Sequence, residues 1–460
     1  MCFRSNSEDV STMKHGEMFR MNFDYSLEPV RDVFLIDVKS FYASVECVQR
    51  GLHPLKTMLV VMSTADNTGS GLVLAASPMA KKELGISNVT RARDVPDHKD
   101  LVIVPPRMNF YIEENMKINN IYRSVVADQD LHIYSIDESI LDVTASLNLF
   151  VPSATLSRSE KRWRLARMIQ LKIFRETGLY VTVGVGDNPL LAKLALDNES
   201  KHNRELIAEF TYQNVEEKIW SIKNMTDFWG IGSRTEKGLQ SIRIRSIRDL
   251  ANLPYPDLLL LKKKYGVIGM QLYHHANGID RSIISEPYRT LEKSYGNSQV
   301  LDRDYVWKDE IETVIREMAD QVATRIRRHN AQTECIHIFI GASMSEATRG
   351  FSKQMKISAT DSTKKLTEHC IGLFRRNWNG FNVRHVGITY KNLVYNENRQ
   401  LDLFSSAEDQ DRQIKLDLIV DRIRSKYGYT KLVHAASLTA GGRSIKRASL
   451  VGGHAGGIPG

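Results

Sequence analysis

Three acidic residues stand where apolar, strand-like runs end. Asp37 follows Val33-Phe34-Leu35-Ile36, and Asp137-Glu138 follow Leu131-His132-Ile133-Tyr134-Ser135-Ile136. Four apolar residues closed by an acid read as a buried strand that delivers a carboxylate at its exposed tip. Such a group is costly to bury unless a cation pairs with it. A set of three carboxylates, without His or Cys, selects hard cations, Mg²⁺ or Mn²⁺, over zinc. Two such ions would activate an attacking oxygen and neutralise a leaving phosphate. Mg²⁺ is usually shared with substrate phosphates. Cations for a triphosphate are therefore expected, and Lys81, Lys82 and Lys193 are the candidates.

These residues need elements to position them. A strand from Val33 runs into a helix over about 40–50, with further strands over 57–62 and 72–76. Ser77 is a suitable N-cap for a short helix that begins at Pro78 and stops at Gly85. A helix is predicted over 109–126. Two strands, 131–136 and 139–144, then form a hairpin with only Asp-Glu between them. Tight hairpin turns favour Gly or Asn, so acids there point to function. Asp142 lies four residues past Glu138, on the same strand face, and reads as structural. A long basic helix over 159–177 ends at Gly178, a strand over 180–186 follows, and a helix opens at Pro189. Strands and helices thus mix, and the fold class is α+β.

From about 199 the pattern turns mainly helical and contains Trp229-Gly230-Ile231-Gly232. This resembles the helix-hairpin-helix unit, whose backbone N–H groups at Gly230, Ile231 and Gly232 would meet a DNA phosphate. Residues 294–391 read strand, helix, strand, strand, helix, strand, a split βαβ domain. It carries Arg325, Arg327, Arg328, Arg349, Lys353 and Lys356, which as a group would make salt-dependent contacts to a polyanion. A polar tail follows, with a short helix from about 409 to 427 and a Gly-rich, mobile end.

The chain has 460 residues, enough for three or four domains. Its formal charge of +9 favours a polyanionic partner. Cys2, Cys47, Cys335 and Cys370 form no C-x-x-C pair and read as reduced thiols. No apolar run approaches the ~20 residues of a membrane span, and the N-terminus does not read as a signal peptide. A cytoplasmic protein with no membrane partner is expected.

Asp-Val-Lys-Ser-Phe-Tyr-Ala-Ser-Val-Glu at 37–46 and Ser-Ile-Asp-Glu-Ser at 135–139 resemble the two metal motifs of the Y-family translesion DNA polymerases. Val-Gly-Val-Gly at 183–186 with Leu-Ala-Lys-Leu-Ala at 191–195 resembles a third block of that family. Phe228–Gly232 is similar to its thumb hairpin, and 293–299 to the start of its little finger. The resemblance spans roughly residues 30–430, and the long tail resembles the UmuC-like branch in its Gram-positive form. It implies a right-hand architecture. The palm would comprise 31–41 and 108–198, the fingers 42–107, the thumb 199–289 and the little finger 290–393. A flexible extension, 1–30, would precede these, and a tail, 394–460, would follow.

By the same resemblance, Asp37, Asp137 and Glu138 are catalytic and hold two Mg²⁺ ions, with Mn²⁺ as a substitute. Val38 adds its backbone carbonyl. Tyr42 is the steric gate that excludes a 2′-hydroxyl, and Lys82 and Lys193 bind the triphosphate. Met79 stands where the family often has a Tyr, and its thioether cannot donate a hydrogen bond. Gly230, Ile231, Gly232, Arg349 and Lys353 would contact DNA. Gln400, Leu401, Leu403 and Phe404 resemble the bacterial sliding-clamp binding peptide. The implied reaction adds a deoxynucleotide to a primer 3′-hydroxyl with release of pyrophosphate, on primer-template DNA and from deoxynucleoside triphosphates. No separate proofreading cluster is visible, so low fidelity follows. Ala75, Ala76 and Ser77 would leave room for damaged bases, as in an SOS-type repair role. An accessory subunit is compatible with the resemblance.

Two other readings compete. A cyclase could use the same palm chemistry, but it needs neither the Gly-Ile-Gly hairpin nor a basic split βαβ domain. A non-enzymatic scaffold bound to clamp and DNA would not need Asp37, Asp137 and Glu138 intact.

Overall fold

The structure is a computed structural model that describes residues 23–63, 71–286, 290, 292–395 and 406–456. The expected clamp peptide, Gln400, Leu401, Leu403 and Phe404, lies outside the described residues. In chain order the strands are β1 (Val33–Val38), β2 (Leu59–Ser63), β3 (Leu72–Ala76), β4 (Val102–Val104), β5 (Leu131–Ile133), β6 (Glu138–Asp142), β7 (Val181–Gly186) and β8 (Ile207–Phe210). The later strands are β9 (Tyr295–Tyr305), β10 (Gln332–Ala342), β11 (Gly350–Thr360), β12 (Val383–Val394), β13 (Leu450–Val451) and β14 (His454–Ala455). The described residues fall into two compact units, one from 1–39 with 115–287, the other from 40–114 with 288–460.

The first unit is built on a five-stranded sheet in the order β5-β6-β1-β7-β8. β1 is central and antiparallel to both neighbours. It is buried along most of its length, as its unbroken apolar run requires. The helix Arg158–Thr177 starts with a reciprocal cap between Ser157 and Glu160 and stops at left-handed Gly178. Its Arg162 is 2% exposed and pairs with Asp32 at 2.5 Å and with Asp187 and Glu209 at 2.8 Å. Three acids around one guanidinium fasten this helix to the sheet.

Three expectations for this unit need correcting. β5 ends at Ile133 and β6 begins at Glu138, which makes the turn between them four residues long, Tyr134 to Asp137. Glu138 therefore opens β6 rather than lying in a two-residue turn. Strand β8 pairs in parallel with β7, so the sheet continues past residue 198 into the stretch read as mainly helical. Phe23–Val30, read as part of a flexible extension, is docked: Tyr25 stacks on Tyr212 at 5.3 Å, and Arg281 pairs with Glu28.

The second unit holds a three-stranded sheet, β3-β2-β4, and a four-stranded sheet, β11-β10-β12-β9. The former includes a short parallel strand, β4, that periodicity did not reveal. The latter is the expected split βαβ arrangement, with helices Lys308–Arg328 and Thr363–Asn377 packed on it. The Gly-rich end is folded through residue 456, contrary to its reading as mobile. Helix Ala407–Tyr427 lies against Lys308–Arg328 through Arg424–Asp320 at 2.7 Å and Arg327–Asp421 at 2.6 Å. Gly441 sits so close that a Cβ there would come within 2.7 Å of the Glu310 Cα. Arg327, grouped with the polyanion-binding residues by sequence, is thus buried under the tail and bound to its aspartates.

Candidate active site

Asp37 and Glu138 are direct partners across β1 and β6. Cross-strand partners point to one face, and like charges so placed repel. Ser135 forms the turn that presents the second pair of acids: its hydroxyl donates to Asp137 Oδ1 at 2.7 Å and accepts from the Glu138 N–H at 2.9 Å. The Val38 N–H donates to the Asp137 carbonyl at 2.9 Å, which locks this turn to β1. Asp142 takes no part in the cluster and accepts from the Thr144 hydroxyl.

Two ammonium groups answer the charge. Lys193 Nζ lies 2.8 Å from Glu138 Oε1 and 3.2 Å from Asp197. Lys201 Nζ lies 3.1 Å from Asp37, 2.9 Å from Asp197 and 3.9 Å from Glu138. Burial pushes the Asp37 carboxyl up to about 7, Lys201 opposes that, and Asp137 and Glu138 add to it. Burial works against the Lys201 charge, yet Asp37 and Asp197 raise its pKa. Lys201 was missed by sequence reasoning. Its signal was the spacing Lys193, Asp197, Lys201, four residues apart each time, as on one helix face. Helix Pro189–Ala195 continues into a π-turn, Leu196–Ser200, closed by the Lys201 N–H on the Leu196 carbonyl at 3.3 Å. Such an insertion often marks a functional site, and here it re-aims the second lysine.

The helix bearing Lys193 sits directly on β7. A Cβ on Gly184 would meet the Ala192 carbonyl oxygen at 2.0 Å, and one on Gly186 the Ala192 nitrogen at 2.3 Å. Val-Gly-Val-Gly is therefore a packing requirement: it lets the lysine helix approach the strand beside Asp37.

The donor set suits a hard divalent cation. The three carboxylates offer only oxygen, and the cluster's repulsion and burial call for positive charge. Among the described residues, no three His, Cys, Asp or Glu side chains converge on one point as they stand. Asp37 and Glu138 turn to the lysines, and Asp137 to Ser135.

The Gly-Ile-Gly hairpin is formed as expected. Ile231 is buried and anchors it, while Gly230 has a φ of +95° and Gly232 caps the helix Ser233–Gln240. Both glycines are exposed, so their backbone can be approached.

Tyr42 and Lys82 belong to the second unit. Tyr42 stacks on Tyr111, ring centroids 4.6 Å apart. The Tyr111 hydroxyl donates to the fully buried Glu46 at 2.7 Å, and Arg107 holds the same carboxylate with two bonds of 2.9 and 2.8 Å. Burial alone would raise the Glu46 carboxyl, but the hydrogen bonds from Arg107, Tyr111 and Arg50 hold it below the usual range. Between Asp37 and Tyr42 the chain passes through left-handed Ser40, φ 50°, an uncommon conformation for a non-glycine residue. Lys82 is exposed on the helix Pro78–Leu84, 3.1 Å from Glu83. Arg349 and Lys353 are exposed just before and along β11.

Residues 36–197 match the impB/mucB/samB family, and residues 292–403 match that family's C-terminal domain. The chain belongs to the impB/mucB/samB family of Y-family DNA polymerases. A Bacillus subtilis protein named for UV-damage repair, UvrX, is 40% identical over 94% of this chain and 99% of its own length. DNA polymerase IV 2 of the same organism is 34% identical over 92% and 98%. DNA polymerase IV of Moorella thermoacetica is 32% identical over 89% and 97%. Among solved structures, a Y-family DNA polymerase chimera of Dbh and Dpo4 shares the fold, with a TM-score of 0.63 at 23% identity over 79% of this chain and all of that one. This Y-family polymerase is thus a DNA-directed DNA polymerase of the type found in Gram-positive bacteria, and polymerases of the family use divalent metal ions.

The close contact at β7 yields a direct test. Gly184→Ala should push the lysine helix off the sheet and lower primer-extension activity more than about tenfold, with a lowered unfolding midpoint. Wild-type activity in a purified Gly184→Ala variant would show that the close approach has no bearing on the site.

Proposed function

We propose that this polymerase extends primers past damaged bases with low fidelity, as part of a DNA-damage response, and that the cluster of Asp37, Asp137 and Glu138 is its reaction centre. The observation that carries this reading is the in-register opposition of Asp37 and Glu138, with two lysines drawn to them. Asp37, Asp137, Glu138 and the Val38 carbonyl would hold two Mg²⁺ ions, or Mn²⁺ in their place. When bound, these would activate the primer 3′-hydroxyl and offset charge on the departing pyrophosphate. Lys193 and Lys201 are then free to turn from carboxylates to the incoming triphosphate, with Lys82 as a third cation.

Tyr42 is the proposed gate against a ribose 2′-hydroxyl. Its stack on Tyr111, and the tie from Tyr111 to Glu46 and Arg107, hold the ring in one orientation. Such rigidity is what a steric filter needs. Gly230, Ile231 and Gly232 offer backbone amides to a DNA phosphate, and Arg349 and Lys353 offer charge to the duplex backbone. Gln400, Leu401, Leu403 and Phe404 are proposed to seat in an apolar pocket of the bacterial sliding clamp. No helix among the described residues is long and apolar enough to cross a membrane, and a cytoplasmic setting fits a DNA-bound enzyme. An accessory subunit is compatible with the same reading.

Asp137→Ala should abolish primer extension in Mg²⁺ and in Mn²⁺ while primer-template affinity stays within about twofold; persistent synthesis would refute the metal assignment. Tyr42→Ala should incorporate ribonucleotides at least about tenfold more readily without losing deoxynucleotide addition, scored by single-nucleotide extension. An unchanged sugar preference would remove Tyr42 from the gate. Deleting 400–404 should cancel stimulation by the clamp and spare clamp-free synthesis, and stimulation that survives would disprove the peptide's role.

A further inference from the structure

Tyr134 is an aromatic residue 45% exposed on the turn that presents the acids. Its N–H donates to the Glu138 carbonyl at 3.0 Å. One side of its ring lies under the Lys193 ammonium, 5.9 Å from the centroid. Its ring also meets Trp229 at 6.4 Å and 72°, an edge-to-face contact. Trp229 in turn is fixed by a parallel stack with buried His275 at 6.2 Å and 4°, and it packs against the apolar cluster beneath the hairpin. Trp229 is the residue directly before Gly230-Ile231-Gly232. A continuous row therefore runs from the hairpin, through Trp229 and Tyr134, to the lysine beside Glu138. Nothing in the turn geometry demands a tyrosine at this position, since Ser135 already shapes the turn.

We propose that Tyr134 is a positioning residue that ties the Gly-Ile-Gly hairpin to Lys193. When hairpin amides hold a DNA phosphate, Trp229 keeps the tyrosine ring in place. The ring keeps the ammonium of Lys193 near the centre as it leaves Glu138 for the triphosphate. Occupation of the hairpin by DNA is thereby coupled to affinity for the incoming nucleotide. This inference rests on the proposed roles of Lys193 and of the hairpin.

The test is single-nucleotide primer extension by the full chain at saturating DNA, with DNA affinity measured by anisotropy and folding by thermal unfolding. Tyr134→Leu and Trp229→Leu should each raise the KM for the nucleotide about fivefold, the scale of losing an aromatic or cation–π contact. The double variant should be no worse than the poorer single, because both break the same row. Tyr134→Phe, which keeps the ring, should restore KM to within about twofold of wild type. Trp229→Met, which also removes the ring, replaces Trp229→Leu if the latter is unfolded. A KM within twofold for Tyr134→Leu, or single effects that multiply to about 25-fold in the double, would overturn the coupling. Lys193→Met separates the two levels of the argument. If it raises KM and Tyr134→Leu does not, only the coupling fails; if Lys193→Met itself leaves KM unchanged, the triphosphate role of Lys193 fails with it.

Discussion

The structure depends on a repulsion. Asp37 and Glu138 face each other in register on adjacent strands, with Asp137 beside them. Two like charges in that position destabilise a sheet unless a cation intervenes. Much of the first unit can be understood as the means of supplying one. The glycines of β7 let a helix come close enough to bring Lys193, and the π-turn after it aims Lys201 at Asp37. Lysines are well suited to this task. Each is a point charge on a flexible stem, and each pairs with two or more carboxylates here.

Each unit also contains rigid parts. Arg162, with its three acids, fastens a long helix to the back of the sheet. In the second unit buried Glu46 and Tyr111, joined to half-buried Arg107, form a network on which the Tyr42 ring stacks. A satisfied buried network of this kind rigidifies its neighbours, whereas a lone buried carboxylate would be costly. The contrast is physical: the lysine charges sit on flexible stems, whereas the Tyr42 ring is held in a stack on Tyr111.

The split βαβ domain illustrates how a local pattern can be read correctly and a residue's role misread. Its elements follow from period and turn residues, and they match within a few positions. Arg327 is cationic on a basic helix, so sequence alone places it with the DNA-facing charges. In the structure it lies under a tail helix whose Asp417 and Asp421 are about 90 residues away in sequence. Glycine usually marks flexibility, and on that ground the sequence reads the tail as mobile. Here Gly441 and Gly442 instead allow close contact with Glu310 and Ser437.

The sequence by itself determined a buried strand carrying Asp37, a hairpin carrying Asp137 and Glu138, the α+β class, the Gly-Ile-Gly hairpin and the split βαβ order. These are local properties, written in hydrophobic period, caps and turn residues over a few positions. Only the tertiary structure decided that Glu138 opens a strand opposite Asp37, that Lys201 joins Lys193, and that Tyr111 carries Tyr42. It alone showed Tyr134 between Lys193 and Trp229. Those facts are contacts between residues far apart in the chain, set by register and packing, and no local period encodes which partners a side chain will meet.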